Sequence, residues 1–424
     1  MRIKLVTFAP HPNFGTCLQS YALNYILRKL GHDVEFIYNG NEEAPISLSF
    51  RIKRTIISVL KALIPSKILN RIKSSRVHNK NPESNVVIKP YILELPDKNV
   101  LKILSRSPFF MGIYKKIKCK NLQLQKVWKY TYEDGNYAMR RLYTKSDYAD
   151  VVTDADVFIT GSDQIWNPFC GGFNPLMFLE FVPDEKKCIS YSSSISQPEI
   201  NPFVRERIKN DLRKFKHISV REQQSVLLLN DLLNRNDVRL VVDPTYLLSA
   251  EEWSVFGSHA KYEFEIPDKY IFVYFVGSSR KDEYNQIVKD VMKFTGIKDA
   301  ILLDCYNRKI TYGGAILYND AGPYEWVNLL EKSSYVINDS FHSTVFALKF
   351  KKEFVHVLKN TDNEVGSQNT RMYDLLNRYN LQYKIYNQMG DVEWQRPVDY
   401  DSVTPIIQSE VNDSLNFLKF ELEN

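Results

Sequence analysis

The chain has 424 residues, which is too long for one ordinary hydrophobic core and therefore predicts two domains. Charged residues make up 25% and hydrophobic residues 44%, a globular composition, and the net charge of +6 matters only where it is clustered. Five scattered cysteines without a Cys-x-x-Cys pair exclude a zinc or disulfide framework and fit a reducing cytoplasm. We find no apolar signal region and no apolar run long enough to span a bilayer, so we expect a cytoplasmic protein.

A strand, a loop, a helix and a second strand open the chain. The strands are predicted at residues 2–8 and 34–38, and a capping box formed by Thr16 and Gln19 predicts a helix over 16–30. The loop before that helix lies at the carboxyl edge of the sheet, where α/β domains bind ligands. Asn13 and Gly15 would let the backbone approach a substrate there, although a tight turn that needs glycine explains them equally well.

Residues 42–148 form a basic segment in which apolar residues recur at helical spacing with lysines and arginines between them. Basic amphipathic helices of this kind can lie on an anionic membrane surface. Amphipathicity is also the normal state of a solvated helix that caps a domain. No recognised nucleic-acid-binding module accompanies the bases, so we expect no nucleic-acid partner.

Regular alternation of strands and helices resumes at residue 155. A buried strand over 157–160 ends in a polar run in which Asp163 could accept a hydrogen bond or a proton from a substrate hydroxyl, or could cap a turn. Further strands are predicted over 189–192, 217–220 and 238–242. Arg221 follows the second of these, where its guanidinium could bind an anion or could pair locally with Glu222.

A second unit is predicted after residue 245. Its strands are expected at residues 270–276, 300–303, 335–337 and 354–357, and its helices at 281–294, 322–332, 371–379 and 405–422. The fold class indicated by this alternation is α/β, with two doubly wound, Rossmann-like units in tandem whose ligand-binding edges face a cleft.

The strand–turn–helix at residues 336–348 is the centre of the predicted site. Asp339 and Ser340 are good N-cap residues, and His342 falls in the first helical turn. Backbone N–H groups of that turn and the helix dipole favour an anion. A histidine there can hold a phosphate or carboxylate and can transfer a proton, or it can be a half-buried residue that only caps its own helix.

Five short blocks together resemble those of the polysaccharide pyruvyl transferase family, and they span roughly residues 2 to 380. The blocks are Asn13-Phe14-Gly15 with Leu18-Gln19-Ser20-Tyr21-Ala22-Leu23, Gly161-Ser162-Asp163-Gln164-Ile165-Trp166-Asn167, Val220-Arg221-Glu222, Asp243-Pro244-Thr245, and Ser340-Phe341-His342-Ser343-Thr344-Val345-Phe346. Their order and spacing make the match specific. The family usually has glycine after the histidine, where this chain has Ser343, and the basic segment receives little support from the resemblance.

The resemblance implies a fold similar to the two-domain GT-B glycosyltransferases. It also implies transfer of pyruvate from phosphoenolpyruvate to two hydroxyls of a sugar in a capsular, exopolysaccharide or other cell-surface glycan, which gives a cyclic ketal. Such a reaction needs donors for the anionic groups, an acid and a base. We expect no redox cofactor and no nucleotide, because phosphoenolpyruvate supplies the activation, and no metal, because no cluster has metal-ligand spacing.

The site residues are assigned as three overlapping groups. The catalytic group is His342, Asp163 and Glu325; the donor-binding group is Arg221, His342, Ser340, Ser343, Thr344 and Arg371; and the acceptor-binding group is Asn13, Gly15, Gln19, Ser162, Asp163, Gln164 and Trp166. Glu325 could instead be a first-turn charge that suits the helix dipole, and Arg371 could form a salt bridge on a helix face. Trp166, Tyr21 or Tyr191 could stack on a sugar ring or fill the core.

The predicted domains are residues 1–245 on the acceptor side, with a basic helical insertion at about 42–148, and residues 246–424 on the donor side, with a C-terminal helix. The expected partners are phosphoenolpyruvate and a sugar or lipid-linked oligosaccharide, and a lipid-linked acceptor would give the basic segment a peripheral contact with the inner membrane face. Two other functions fit the same architecture: a nucleotide-sugar-dependent glycosyltransferase and a non-catalytic glycan-binding or glycan-assembly protein.

Overall fold

The structure of the chain is a computed structural model. It describes residues 1–8, 13–40, 89, 100–170, 172–277, 280–304, 306, 308–362, 364, 366–386, 388 and 390–424. The helices predicted between residues 42 and 99 therefore lie outside the described residues.

The first unit is built on a five-stranded sheet in which all neighbours are parallel, in the order β3-β2-β1-β4-β5. The strands are β1 (Arg2–Val6), β2 (Asp33–Asn39), β3 (Ala138–Leu142), β4 (Val157–Thr160) and β5 (Lys187–Ser190). Two isolated bridges through Ser193 link the segment after β4 to Val220. The sheet is thereby continued towards the short parallel pair β6 (Ser219–Val220) and β7 (Arg239–Leu240). The predicted residues that follow these strands consequently share one edge.

The helices of the first unit confirm the predicted alternation of strands and helices, and the first helix begins earlier than predicted. They are α1 (Phe14–Lys29), α2 (Val100–Ser105), α3 (Pro108–Lys118), α4 (Leu122–Tyr132), α5 (Lys145–Asp154), α6 (Arg205–Leu212) and α7 (Gln223–Leu233). The predicted start of α1 at a Thr16 capping box is wrong, because Asn13 occupies the N-cap position. The Thr16 hydroxyl instead donates to Asp163 Oδ2 at 3.0 Å, so the side chain serves the site rather than its own helix.

The second unit has a six-stranded, all-parallel sheet in the order β10-β9-β8-β11-β12-β13. Its strands are β8 (Ile271–Tyr274), β9 (Ala300–Leu303), β10 (Ile316–Tyr318), β11 (Tyr335–Asn338), β12 (Phe354–Val357) and β13 (Ile385–Tyr386). Its helices are α8 (Ala250–Gly257), α9 (Lys281–Thr295), α10 (Pro323–Lys332), α11 (Phe341–Lys349) and α12 (Thr370–Arg378). Strand order reverses beside β1 in one sheet and beside β8 in the other. The predicted pair of doubly wound α/β units is confirmed.

The last helix, α13 (Tyr400–Glu423), connects the two units. The Val242 backbone N–H donates to Ser414 Oγ at 2.9 Å, and Lys187 Nζ donates to the Leu422 carbonyl at 3.3 Å. The sequence grouped this helix with the second unit, whereas its later half packs on the first. Within the described part of the chain, no helix is both long enough and apolar enough to cross a membrane.

Candidate functional site

The two units meet where the first turns of α1 and α11 approach each other. A Cβ atom added at Gly15 would lie 2.3 Å from Nδ1 of His342, far inside van der Waals contact. Gly15 sits within the first turn of α1, so glycine is needed here for close approach and not for a turn. The sequence therefore places the backbone of the first unit against the histidine ring of the second.

The other side of the His342 ring faces Asp243, which follows β7. Nε2 of His342 lies 3.4 Å from Asp243 Oδ2, an ion-pair distance that is too long for a well-formed hydrogen bond. Burial by itself would raise the pKa of Asp243, but His342 and Arg221 outweigh burial and hold that pKa well below its usual range. An ionised carboxylate therefore lies beside the His342 imidazole and places a fixed negative charge next to the ring.

Arg221 is buried and is bonded through three nitrogens to three different carboxylates. The distances are 3.1 Å from Nε to Glu222, 2.8 Å from Nη1 to Asp243 and 3.1 Å from Nη2 to Asp163. Burial would lower the pKa of Arg221, but the carboxylates outweigh that effect and raise it. The guanidinium is therefore not a free anion fork. It pairs with Glu222 as the alternative predicted, but the pair is buried and Arg221 shares it with Asp163 and Asp243. Its predicted contact with the donor stays a prediction that requires these bonds to rearrange.

Asp163 lies between Arg221 and the start of α1, at a backbone φ of +68°. Burial would raise its pKa, but Arg221 and His342 outweigh burial and lower it. The carboxylate is therefore ionised at neutral pH and is a weak base. Two neighbouring predicted residues support this loop from within the protein. Ser162 donates to Asp243 Oδ2 at 3.2 Å, and the Gln19 side chain accepts from the Ser162 N–H at 3.3 Å.

Two arginines lie against the ring of Phe341, which precedes the histidine. The Cζ atoms of Arg221 and Arg371 are 4.5 Å and 5.8 Å from the ring centroid. Arg371 forms no ion pair within the described part of the chain, and its Nε atom is buried without a hydrogen-bond partner there. Burial lowers the pKa of Arg371, and the like charge of Arg221 lowers it further. Its Nη2 donates to Gln368, which also accepts from Gln164 of the first unit.

The remaining predicted donor residues form the start of α11. Ser340 is its N-cap and accepts from the Ser343 N–H at 3.5 Å, while the Ser343 hydroxyl is buried with no partner among the described residues. Thr344 Oγ1 lies 3.1 Å from Nδ1 of His356, a buried residue on β12. Burial and the charge of Arg371 lower the pKa of His356 to about 3, so this imidazole is neutral.

Three predicted residues have other surroundings. Trp166 is 1% exposed, donates its indole N–H to the Met177 carbonyl and stacks on Phe178, so no ring face is open to a sugar here. Glu325 lies in the first turn of its helix, as the alternative predicted, and accepts from the backbone N–H groups of Gly322 and Lys261, both at 2.8 Å. Asn13 caps α1 without a side-chain capping bond. The functional roles predicted for all three stay predictions.

Asp243 and Phe341 lie within the blocks that resemble the family but have no predicted role, and His356 has no predicted role either. Asp243 and His356 each lie at the carboxyl end of a predicted strand, beside strands that already carried site residues. That position was the available signal. The contact of Phe341 with two arginines depends on packing between units and leaves no trace in the local pattern.

The molecule is thus a two-unit α/β protein whose charged site lies between the carboxyl edges of two parallel sheets. In the described ranges no group of three or more His, Cys, Asp or Glu side chains could hold a metal ion. The family model described as polysaccharide pyruvyl transferase matches residues 13–361, and the chain belongs to this family. The matched range includes His342 and ends before Arg371.

Comparison with curated proteins gives no match. Among solved structures, UDP-GlcNAc 2-epimerase from Neisseria meningitidis bound to UDP-GlcNAc is similar with a TM-score of 0.46 and 10% identity, covering 100% of each chain. The glycosyltransferase SnogD from Streptomyces nogalater has a TM-score of 0.41 and 12% identity, over 98% of this chain and 95% of its own. Similarity at this level carries no argument about activity.

Proposed function

We propose that this protein transfers pyruvate from phosphoenolpyruvate to two hydroxyls of a sugar in a cell-surface glycan, such as a capsular or exopolysaccharide, in the cytoplasm. The observation that carries the proposal is Arg371, whose buried Nε lacks a hydrogen-bond partner among the described residues beside Arg221 and the His342 helix. Arg221 is already paired with three carboxylates, whereas the buried Nε of Arg371 is left without an acceptor among the described residues. A phosphate or carboxylate oxygen of the ligand would supply that acceptor.

The donor would bind mainly to the second unit. Arg371 supplies a guanidinium, and the first turn of α11 supplies backbone N–H groups and a favourable dipole for an anion. These groups match a small ligand with two anionic ends better than a neutral one.

The reaction then needs two protons removed from the sugar hydroxyls and two delivered, one to the methylene carbon and one to the leaving phosphate. His342 would protonate the methylene carbon of phosphoenolpyruvate, which creates a cationic centre at the adjacent carbon. One sugar hydroxyl attacks that carbon, phosphate leaves, and the second hydroxyl closes the ketal. The two hydroxyl protons end on the new methyl group and on the phosphate, so the step needs no oxidant. The ionised carboxylates of Asp163 and Asp243 would stabilise the positive charge as it develops.

Isothermal titration of phosphoenolpyruvate into the purified protein tests the donor. We expect wild type to bind and His342→Ala and Arg371→Ala to bind at least ~10-fold more weakly, since each loses a charge-assisted contact. Arg205→Ala is the matched control, because Arg205 forms an exposed ion pair with Asp231 and lies apart from the site. Binding of a UDP-sugar by a protein that ignores phosphoenolpyruvate would overturn the proposal in favour of a glycosyltransferase.

A lipid-linked acceptor is the second part of the proposal, and α3 carries it. Three residues spaced four apart on this helix are exposed, Phe109 at 79%, Ile113 at 42% and Ile117 at 38%. The last turn carries three lysines: Lys115, Lys116 and Lys118. An apolar stripe bordered by bases is complementary to an anionic phospholipid surface.

Co-sedimentation with vesicles tests that contact. We expect wild type to bind vesicles that contain phosphatidylglycerol and not vesicles of phosphatidylcholine alone. The double variant Phe109→Ser with Ile113→Ser should lose binding, while Val392→Ser, an exposed apolar residue elsewhere, should keep it. Equal sedimentation of the double variant and wild type would contradict the membrane contact and leave the donor proposal untouched.

A further inference from the structure

A second cavity of ≈ 590 Å³ lies between the two units, away from the residues around Arg221. Tyr21 and Tyr25 of α1 contribute from the first unit, and Phe256 and Tyr324 contribute from the second. Its volume falls in the range of small-molecule sites, roughly 300–1,000 Å³. None of its lining residues belongs to the group formed by Asp163, Arg221, Asp243, His342 and Arg371.

Aromatic rings form one wall of this cavity. The Tyr21 and Tyr25 rings stack with centroids 5.8 Å apart and an interplanar angle of 26°, and the Phe256 centroid lies 4.8 Å from Tyr21 and 4.7 Å from Tyr324. Tyr21, Tyr25 and Tyr324 are half-buried, so part of each ring is exposed to the cavity, and each ring carries a polar hydroxyl. Rings of this kind offer a flat apolar face next to a hydrogen-bonding group.

Polar side chains of both signs complete the lining. Asn136 Nδ2 donates to the Tyr324 hydroxyl at 3.0 Å, which donates to Asp134 at 3.1 Å, and the Tyr25 hydroxyl donates to Glu252 at 3.3 Å. The charged lining residues are three lysines and four acids: Lys126, Lys129, Lys261, Asp134, Glu251, Glu252 and Glu325. Because the charges nearly cancel, the cavity has no surplus of positive charge for a diphosphate or a nucleic acid.

We propose that this cavity binds neutral sugar units of the glycan acceptor, at a distance from the reacting sugar. A pyranose has an apolar face that fits a tyrosine ring, and hydroxyl edges that fit amide, carboxylate and ammonium groups. Helix α1 joins the two sites: Gly15 contacts His342, and Tyr25 lies ten residues later, about 15 Å along the helix axis. A glycan of several units can span that distance. This inference rests on the proposed function, which supplies the glycan.

Saturation-transfer NMR with cellotriose, maltotriose and chitotriose, each tested alone, is the experiment, with UDP as an anionic comparator. We expect at least one trisaccharide to bind and UDP not to compete with it. Tyr25→Ala and Tyr324→Ala should weaken binding at least ~10-fold by removing a ring face, and Tyr25→Phe should retain it. Tyr383→Ala is the matched control, because Tyr383 is half-buried and is not part of the cavity.

The same preparations are titrated with phosphoenolpyruvate, so that the sugar-binding cavity and the donor assignment can be disproved independently of each other. Trisaccharide binding that survives both alanine variants, displacement by UDP, or no binding of any trisaccharide would overturn the sugar cavity, whatever phosphoenolpyruvate does. Loss of trisaccharide binding in the variants with unchanged phosphoenolpyruvate affinity supports it. Trisaccharide binding without any phosphoenolpyruvate binding would instead overturn the donor assignment and leave a glycan-binding protein.

Discussion

The facing edges of the two sheets differ in whether their buried polar atoms have hydrogen-bond partners. At the edge of the first unit, the six carboxylate oxygens of Asp163, Glu222 and Asp243 each accept a hydrogen bond, mostly from Arg221 and neighbouring hydroxyls. At the edge of the second unit, buried polar atoms of His342, Ser343 and Arg371 have no hydrogen-bond partner in the described residues. Buried polar atoms are normally satisfied, so each exception needs an explanation.

The difference separates a scaffold from a ligand-binding surface. At the first edge, every oxygen of these three carboxylates accepts a hydrogen bond, which fixes the geometry, whereas the second edge presents polar atoms that have no partner among the described residues and that a ligand would satisfy. Phosphoenolpyruvate carries enough oxygen acceptors for all of them. The comparison therefore predicts that substitutions at the first edge act mainly on stability and substitutions at the second act mainly on binding.

Arg221 should be the most damaging residue to replace. Arg221→Met leaves three buried carboxylates without their shared cation, which should lower the free energy of unfolding by about 3–5 kcal/mol. Arg371→Met removes a cation that forms no ion pair among the described residues, so we expect a change of less than about 1 kcal/mol. Urea denaturation of both variants measures the contrast, and equal losses of stability would remove the distinction between the edges.

Gly15→Ala should break the contact between the edges. The new Cβ would fall 2.3 Å from Nδ1 of His342, so the ring or helix α1 must move, at a cost of about 1–3 kcal/mol. We expect phosphoenolpyruvate affinity to fall with stability, as measured by titration and urea denaturation. Gly112→Ala is the matched control: its Cβ meets nothing within 4 Å in α3, and the change should stabilise that helix by up to about 1 kcal/mol.

These contrasts also show what the sequence can and cannot predict. Hydrophobic periodicity predicted strands of both sheets, and Val157–Thr160 and Phe354–Val357 were predicted residue for residue. The strands Ala138–Leu142, Ile316–Tyr318 and Ile385–Tyr386 were not predicted. The position after a strand was enough to select Asp163, Arg221 and His342, because parallel strands end at a common edge. The pairing of Arg221 with Glu222 was one of the predicted alternatives, but its bonds to Asp163 and Asp243 were not predictable, since they depend on how three separate loops pack.

His356 allows a smaller test of the second edge through pH. Its pKa is about 3 in the folded protein, against roughly 6.5 for an unperturbed histidine. As the pH falls, the unfolded chain therefore protonates His356 before the folded protein does. The contribution of His356 to the free energy of unfolding is fully present above pH 6.5 and is lost progressively between pH 6.5 and about 3. At pH 5 the loss should be about 2 kcal/mol. Wild type and His356→Gln, compared by urea denaturation at pH 7.5 and pH 5, should differ by that amount in their pH dependence, because the other groups titrate in both.

Ser343 should give the smallest and most specific effect. Its buried hydroxyl has no partner within the described residues, so Ser343→Ala removes a desolvated group and should leave stability unchanged or raise it by about 1 kcal/mol. Ser333→Ala is the control, since that buried hydroxyl donates to the Leu330 carbonyl at 2.8 Å and its loss should cost about 1 kcal/mol. If a ligand oxygen satisfies the Ser343 hydroxyl, Ser343→Ala should also weaken phosphoenolpyruvate binding by ~5- to 10-fold in titration. A stabilised Ser343→Ala variant with unchanged affinity for phosphoenolpyruvate would mean that the Ser343 hydroxyl does not contact this substrate.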